Sequence, residues 1–179
     1  MDDVYLKSAS TWKGSSEEAA AAAQGCAELL SMVDNSADVT MHKLAAVGDK
    51  LVLVYLDNDT ERTAVNALRL MYTVYDTETK TWSAPSQVDA NATGDYAPNL
   101  YTDGTELYVI YQDSAAVLDE NADLDSWLAS QNIASAKFDS ESNTFGEVSY
   151  VTTDSSVLDK APVITGADGK VSAVWISNE

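Results

Sequence analysis

The chain has little that could crosslink it, carry it across a bilayer or bind it to a polyanion. One cysteine, Cys26, stands in 179 residues, so no internal disulfide forms and no disulfide framework supports the fold. One histidine, His42, is present, and nothing in the sequence brings it to Cys26 as a base. No apolar run approaches the roughly 18–20 residues of a membrane helix, so no membrane insertion is expected. The start, Met1-Asp2-Asp3, lacks the basic residues and apolar stretch of a secretory signal. That implies a cytosolic protein, or a targeting segment outside these residues. Positive charge is scarce: 10 Lys and Arg face 29 Asp and Glu, for a net charge of −19. Phosphate backbones are repelled by such a surface, which excludes nucleic acid as a partner and disfavours anionic membranes. A solubilising surface accounts for the charge, with calcium binding and adaptation to a salty medium as the sharper readings.

What is present points to a folded β protein. Apolar residues make up 45% and the mean hydropathy is −0.18, as in an ordinary globular domain, and the length suffices for a sizeable core. The stretch 95–111, DYAPNLYTDGTELYVIY, reads as two short strands, Pro98–Tyr101 and Glu106–Gln112, around a turn at Asp103-Gly104. It recurs at 159–175 as DKAPVITGADGKVSAVW, and more weakly at 42–55 as HKLAAVGDKLVLVY. A second text recurs with matched spacing: Tyr75-Asp76-Thr77-Glu78-Thr79-Lys80-Thr81-Trp82 and Phe138-Asp139-Ser140-Glu141-Ser142-Asn143-Thr144-Phe145. In both, the Asp side chain is placed to accept from backbone N–H groups two or three residues on, closing a turn.

Aligned, these copies define a unit of four antiparallel strands, a to d. The first has strands near 43–47, 51–57, 67–76 and 82–88; the second near 97–101, 106–112, 133–139 and 145–152. A third copy supplies only a and b, near 161–165 and 170–176. The expected organisation is a partial blade at 1–40 and a blade at 41–88. A second blade follows at 89–152, and a partial blade at 153–179. A strand is expected near 3–9, and a helix at 15–32 is inserted in the first partial unit. That helix carries a capping box, Ser15 with Glu18, and an apolar face that includes Cys26 as a small buried hydrophobe. Four-stranded units repeated at about 55–65 residues predict an all-β β-propeller segment. Tyr55, Tyr111 and Trp175 fall at equivalent b-strand positions, suited to packing one blade on the next. Propellers close with about four to eight blades, so the simplest expectation is a piece of a longer protein.

Two acidic loops have the spacing of metal ligands. Asp57-Asn58-Asp59-Thr60-Glu61 follows strand b of the first unit. Asp119, Asn121, Asp123 and Asp125 follow strand b of the second and imitate the start of an EF-hand loop, whose oxygens suit Ca²⁺. Leu124 stands where that loop has its glycine and Ser130 where it has its bidentate Glu. The other reading makes Asp123 or Asp125 the cap of a short helix at 126–131. The b-to-c insertion, about 113–132, is much longer than its counterpart at 58–66, and such loops often carry function or an interface. Within it, Trp127 either stacks on a sugar ring or anchors the insertion to its blade. Carboxylate pairs are too common here to nominate a general acid and base, so no catalytic residue is assigned.

The texts at 75–83 and 95–104 resemble blade repeats of large bacterial surface propellers, in the kelch-like and sialidase-like group; the resemblance covers about 34–179. It implies an extracellular or cell-surface setting, with d-to-a and b-to-c loops sharing the face where ligands sit. Trp127, Asp95 and Tyr96 are the candidate ligand-binding residues on that face, for a glycan or a protein, and the rest of the parent polypeptide is an expected partner. The sequence departs from both families. The sialidase Asp-box, Ser-x-Asp-x-Gly-x-Thr-Trp, has its aromatic five residues after the Asp, whereas Trp82 and Phe145 follow by six and neither stretch has the glycine. The paired glycines of kelch repeats are missing too. Sialidases hold the substrate carboxylate with three arginines, and this chain has only Arg62 and Arg69. The implied function is a non-catalytic propeller segment that serves as scaffold or in carbohydrate or protein binding. The alternative is the blade portion of a glycoside hydrolase or sialidase whose catalytic residues lie outside this chain.

Overall fold

The computed structural model describes residues 42–153 and 157–178. The expected strand at 3–9, the helix at 15–32 with Cys26, and the partial blade at 1–40 lie outside the described residues.

The first sheet is built from β1 (Lys43–Val47), β2 (Lys50–Asn58) and β3 (Leu68–Asp76), with two short outer pieces, β4 (Thr81–Trp82) and β5 (Ser86–Gln87). The second repeats it with β6 (Asp95–Thr102), β7 (Leu107–Ser114) and β8 (Gln131–Asp139), edged by β9 (Thr144–Phe145) and β10 (Ser149–Tyr150). A helix, α1 (Leu124–Ala129), lies in the connection before β8. The hairpin of β11 (Asp159–Ala167) and β12 (Lys170–Ser177) is a third sheet. Every pairing is antiparallel.

Local chemistry explains these elements. The three hairpin turns place Gly48, Gly104 and Gly169 at φ of +56°, +92° and +72°, where a Cβ would be strained. Asp103 Oδ1 accepts from the N–H groups of Thr105 and Glu106, each at 2.8 Å, and fixes the second turn. At the c-to-d turns, Asp76 Oδ1 accepts from Glu78 N at 2.8 Å and Thr79 N at 2.9 Å, and Asp139 Oδ1 from Glu141 N at 2.9 Å. The fourth strand of each unit is broken where a single strand was expected. In the first sheet Pro85, which has no N–H to donate, lies between the pieces, and Ser83 Oγ takes the Val74 N–H at 3.0 Å. The Asp-x-Ala-Pro text makes a bulge in both copies, with Ala97 at φ +48° and Ala161 at +51°.

The sheets stack face to face. Val52, Val54, Leu56, Leu70, Tyr72 and Val74 of the first meet Leu107, Val109, Tyr111, Ala134, Ala136, Phe138 and Phe145 of the second in one buried cluster. The other face of the second sheet buries Ile110 and Ile133 against Ile164 and Ala173 of the third. A β-sandwich has one shared core between two sheets; here the middle sheet is buried on both faces. The first strands also lie side by side, β1 against β6 and β6 against β11. Gly48 N donates to Gly104 O at 2.8 Å and Thr102 Oγ1 to Ala46 O at 3.0 Å across the first of these seams. Successive sheets that share faces, with their innermost strands adjacent, form an all-β propeller segment.

Candidate functional site

Three connections gather at one end of the first two sheets: the b-to-c loop 58–67, the d-to-a loop 88–95 and the long insertion 115–130. Asn66, buried in a 3₁₀ turn (Ala64–Asn66), ties two of them. Its Nδ2 donates to Leu118 O at 2.8 Å and its Oδ1 accepts from Leu118 N at 3.0 Å. Arg62 ties the third, donating to Thr93 O at 3.1 Å and Asn91 O at 3.0 Å. Tyr96 donates to Val65 O at 3.0 Å and accepts from Trp127 Nε1 at 3.2 Å, with the two rings edge to face at 5.5 Å.

Beneath this surface lies a cluster of carboxylates. Asp95 begins β6 and lies opposite Asp113 near the end of β7, which lies opposite Asn132 of β8. Residues directly opposite in antiparallel strands share a face, so these three form one cross-strand row. Asp89, from the loop before β6, completes a group in which one oxygen of each Asp lies within 4.8 Å of the others. Tyr111 donates to Asp89 Oδ2 at 2.5 Å and Tyr150 to Asp113 Oδ2 at 2.5 Å. Thr93 Oγ1 donates to Asp113 Oδ1 at 2.6 Å, and Asn91 Nδ2 to Asp113 Oδ2 at 3.2 Å. Asp95 Oδ2 accepts from Leu70 N of the first sheet at 2.6 Å.

Burial pushes the Asp95 carboxyl well above the usual range, and repulsion from Asp89 and Asp113 pushes it further. Asp113 is raised too, chiefly by burial, although the Thr93 and Tyr150 hydroxyls oppose the rise. Burial and the neighbouring Asp89 raise the Tyr111 hydroxyl, which stays protonated and donating. Three carboxylates this close repel one another, and a shared proton or a cation relieves that repulsion.

The expected site residues are distributed unevenly around this end. Asp95 sits in the carboxylate cluster, and its neighbour Tyr96 packs edge to face on Trp127. Trp127 is half-buried, with its indole N–H donating to the Tyr96 hydroxyl at 3.2 Å. Asp119 Oδ1 accepts from Asn121 N at 2.9 Å, and Asp123 Oδ1 caps α1 through Ser126 N at 2.8 Å. Of the two possible caps it is Asp123 that serves; Asp125 lies in the first turn of a helix that starts two residues earlier than expected. Asp119, Asp123 and Asp125 do not form a carboxylate group of ligand spacing among the described residues. Sequence reasoning missed Asp89, Asp113 and Asn132. An available signal was the alternation of oxygen-bearing side chains at Asp89, Asn91, Thr93 and Asp95.

No family model and no curated protein matches the chain. Among solved structures it is similar to a Trypanosoma rangeli sialidase, at 10% identity and a TM-score of 0.42, over 78% of this chain and 19% of that one. It is also similar to a Penicillium chrysogenum alpha-L-arabinanase complexed with arabinobiose, at 16% identity and a TM-score of 0.45, over 75% of this chain and 40% of that one. The chain thus spans about a fifth of the sialidase and two fifths of the arabinanase. Likenesses of this size say nothing about activity. The class, a segment of propeller blades, rests on the sheets themselves.

Proposed function

We propose that these residues are propeller blades whose loop-bearing end recognises a carbohydrate or a protein, outside the cell or on its surface, with no catalytic residue among them. The observation that carries this reading is the locking together of three connections at one end by Asn66, Arg62 and Tyr96. A surface fixed in that way presents the Tyr96–Trp127 pair and the partly exposed Asp89 from a rigid support. Aromatic rings give a sugar an apolar platform, and a carboxylate accepts from its hydroxyls. The burial of Asp95 and Asp113, at 2% and 0% exposure, supports the non-catalytic reading, because a general acid must reach the oxygen it protonates. Both arginines of the chain are engaged within it, Arg69 on Asp57 and Asp59, and Arg62 on Asp59 and two carbonyls.

A second reading makes the chain the blade portion of a glycoside hydrolase or sialidase whose reacting groups lie elsewhere. In its favour are the three linked connections, which would border a cleft completed by other parts of the polypeptide. Glycan arrays and hydrolysis assays on the full-length parent protein separate the two. Binding without turnover, weakened about tenfold by Trp127→Ala as expected for loss of one stacking partner, supports recognition. Turnover of a glycoside supports the enzyme, and neither binding nor turnover removes carbohydrate from both readings.

A further inference from the structure

The two complete sheets solve one charge problem in different ways. In the first, Asp57 of β2 lies opposite Arg69 of β3. The guanidinium closes on that carboxylate with Nη2 at 2.6 Å and Nε at 2.8 Å. In the second, Asp113 holds the place of Asp57, two residues after the matching tyrosines Tyr111 and Tyr55. The residue opposite it is Asn132, where the first sheet has Arg69. The cation is gone, yet Asp89 and Asp95 add two more carboxylates to the same spot. Among the described residues no lysine or arginine forms an ion pair with any of the three.

A separate observation points to a missing positive group. Two buried side-chain oxygens in the described residues have no hydrogen-bond donor, Asp95 Oδ1 and Asn132 Oδ1, and both belong to the row that contains Asp113. Asp95 is 2% exposed and Asn132 5%, so water does not solvate them freely. Asn132 is no part of the acidic group; β8 sets it directly opposite Asp113, in the same cross-strand row. We propose that Asp89, Asp95 and Asp113, with the amide oxygen of Asn132, hold a calcium ion between the first two sheets. Carboxylate and amide oxygens with no sulfur or imidazole among them suit a hard cation and do not select a transition metal. The hydroxyls of Tyr111, Tyr150 and Thr93, each donating to a ligand carboxylate, orient the set. The site shares Asp89 with the loop-bearing surface, but it is argued from burial and strand register and stands if the recognition reading fails.

Terbium, which takes calcium's ligands, supplies the test, because Tyr111 and Tyr150 touch the proposed ligands and would sensitise its luminescence. Metal-stripped protein titrated with Tb³⁺, excited in the tyrosine band, is expected to show saturable emission at one ion per chain, displaced by Ca²⁺. Its melting temperature is expected to rise in excess Ca²⁺ and fall back with chelator. Asp89→Asn, at the partly exposed edge of the group, is expected to weaken binding about tenfold or more. Asp123→Asn, which keeps the helix cap, is expected to leave it unchanged. Asn132→Arg, which imports the solution of the first sheet, is expected to abolish binding and leave a fold indifferent to chelator. No bound ion, with identical melting in Ca²⁺ and chelator, overturns the proposal and leaves shared protons as the balance of charge. An ion lost in Asp123→Asn and kept in Asp89→Asn overturns it in favour of the insertion loop.

Discussion

Single side chains hold this fold where backbone groups would otherwise be left without partners. Asp103 is fully exposed, yet its carboxyl is held down to about 2 by the N–H groups of Glu106 and Thr105 and by the Thr105 hydroxyl. A folded-state value below the unfolded one means that the contribution is complete above about pH 4. It disappears as pH falls through about 2. Asp103→Ala is therefore expected to lower the melting temperature by a few degrees at pH 6, with the difference from the parent closing between pH 4 and pH 2 in thermal scans. Arg69 serves differently, as the counter-charge of Asp57 and Asp59. Arg69→Met strands a carboxylate that is 8% exposed, and with the pair open to water on one side the expected cost is about 1–3 kcal/mol by urea unfolding. Adding Asp57→Asn should recover part of it, as coupled neighbours do. The turn aspartates were legible in the sequence because their partners lie two or three residues away. The carboxylate group was not: Asp95, Asp113 and Asn132 meet only through strand register, which no local pattern displays.

Between residue and molecule stands the hairpin, the element the chain copies. Its text was readable because a glycine turn flanked by alternating apolar residues has one economical fold, and three copies confirm one another. What surrounds the hairpins was less readable. The outer strands break at Pro85 and after Phe145, and helix α1 starts at Leu124 because Asp123, not Asp125, caps it through the Ser126 N–H. The Asp-x-Ala-Pro bulge hid in plain text, since alanine before proline gives no sign of a left-handed backbone. Ala97 stands at φ +48°, two residues after Asp95, which reaches across to the Leu70 N–H of the neighbouring sheet. A β-branched side chain is strongly opposed there. Ala97→Val is expected to destabilise by about 1–2 kcal/mol. Val substituted at Ala46, an ordinary β1 position, should cost less; denaturant midpoints of the two variants decide the matter.

At the scale of the whole molecule, stability depends on sheets covering one another. The middle sheet is the clearest case: β7 and β8 send Tyr111, Ala134 and Phe138 one way and Ile110 and Ile133 the other, and both sets are buried. The hairpin of β11 and β12 covers one face, while its own outer face leaves Val163, Val174 and Ile176 half or more exposed, at 50%, 67% and 57%. Apolar surface of that kind is what a sheet shows when it is built to be covered. The seam between the first two sheets is closed by an aromatic trio, with Tyr72 edge-on to Phe145 at 5.0 Å and Phe138 against Phe145 at 5.3 Å. One ring of that trio belongs to the first sheet and two to the second, so removing a ring opens a cavity that both sheets line. Phe138→Ala is expected to cost about 3–5 kcal/mol, the loss of a buried aromatic plus the void it leaves. If the sheets depend on each other's faces, amide exchange should accelerate together in β2 and β3 of the first and in β7 and β8 of the second. Exchange that quickens in the second sheet alone would mean that each sheet is stable on its own, and the stacked arrangement would then not be what holds the chain folded.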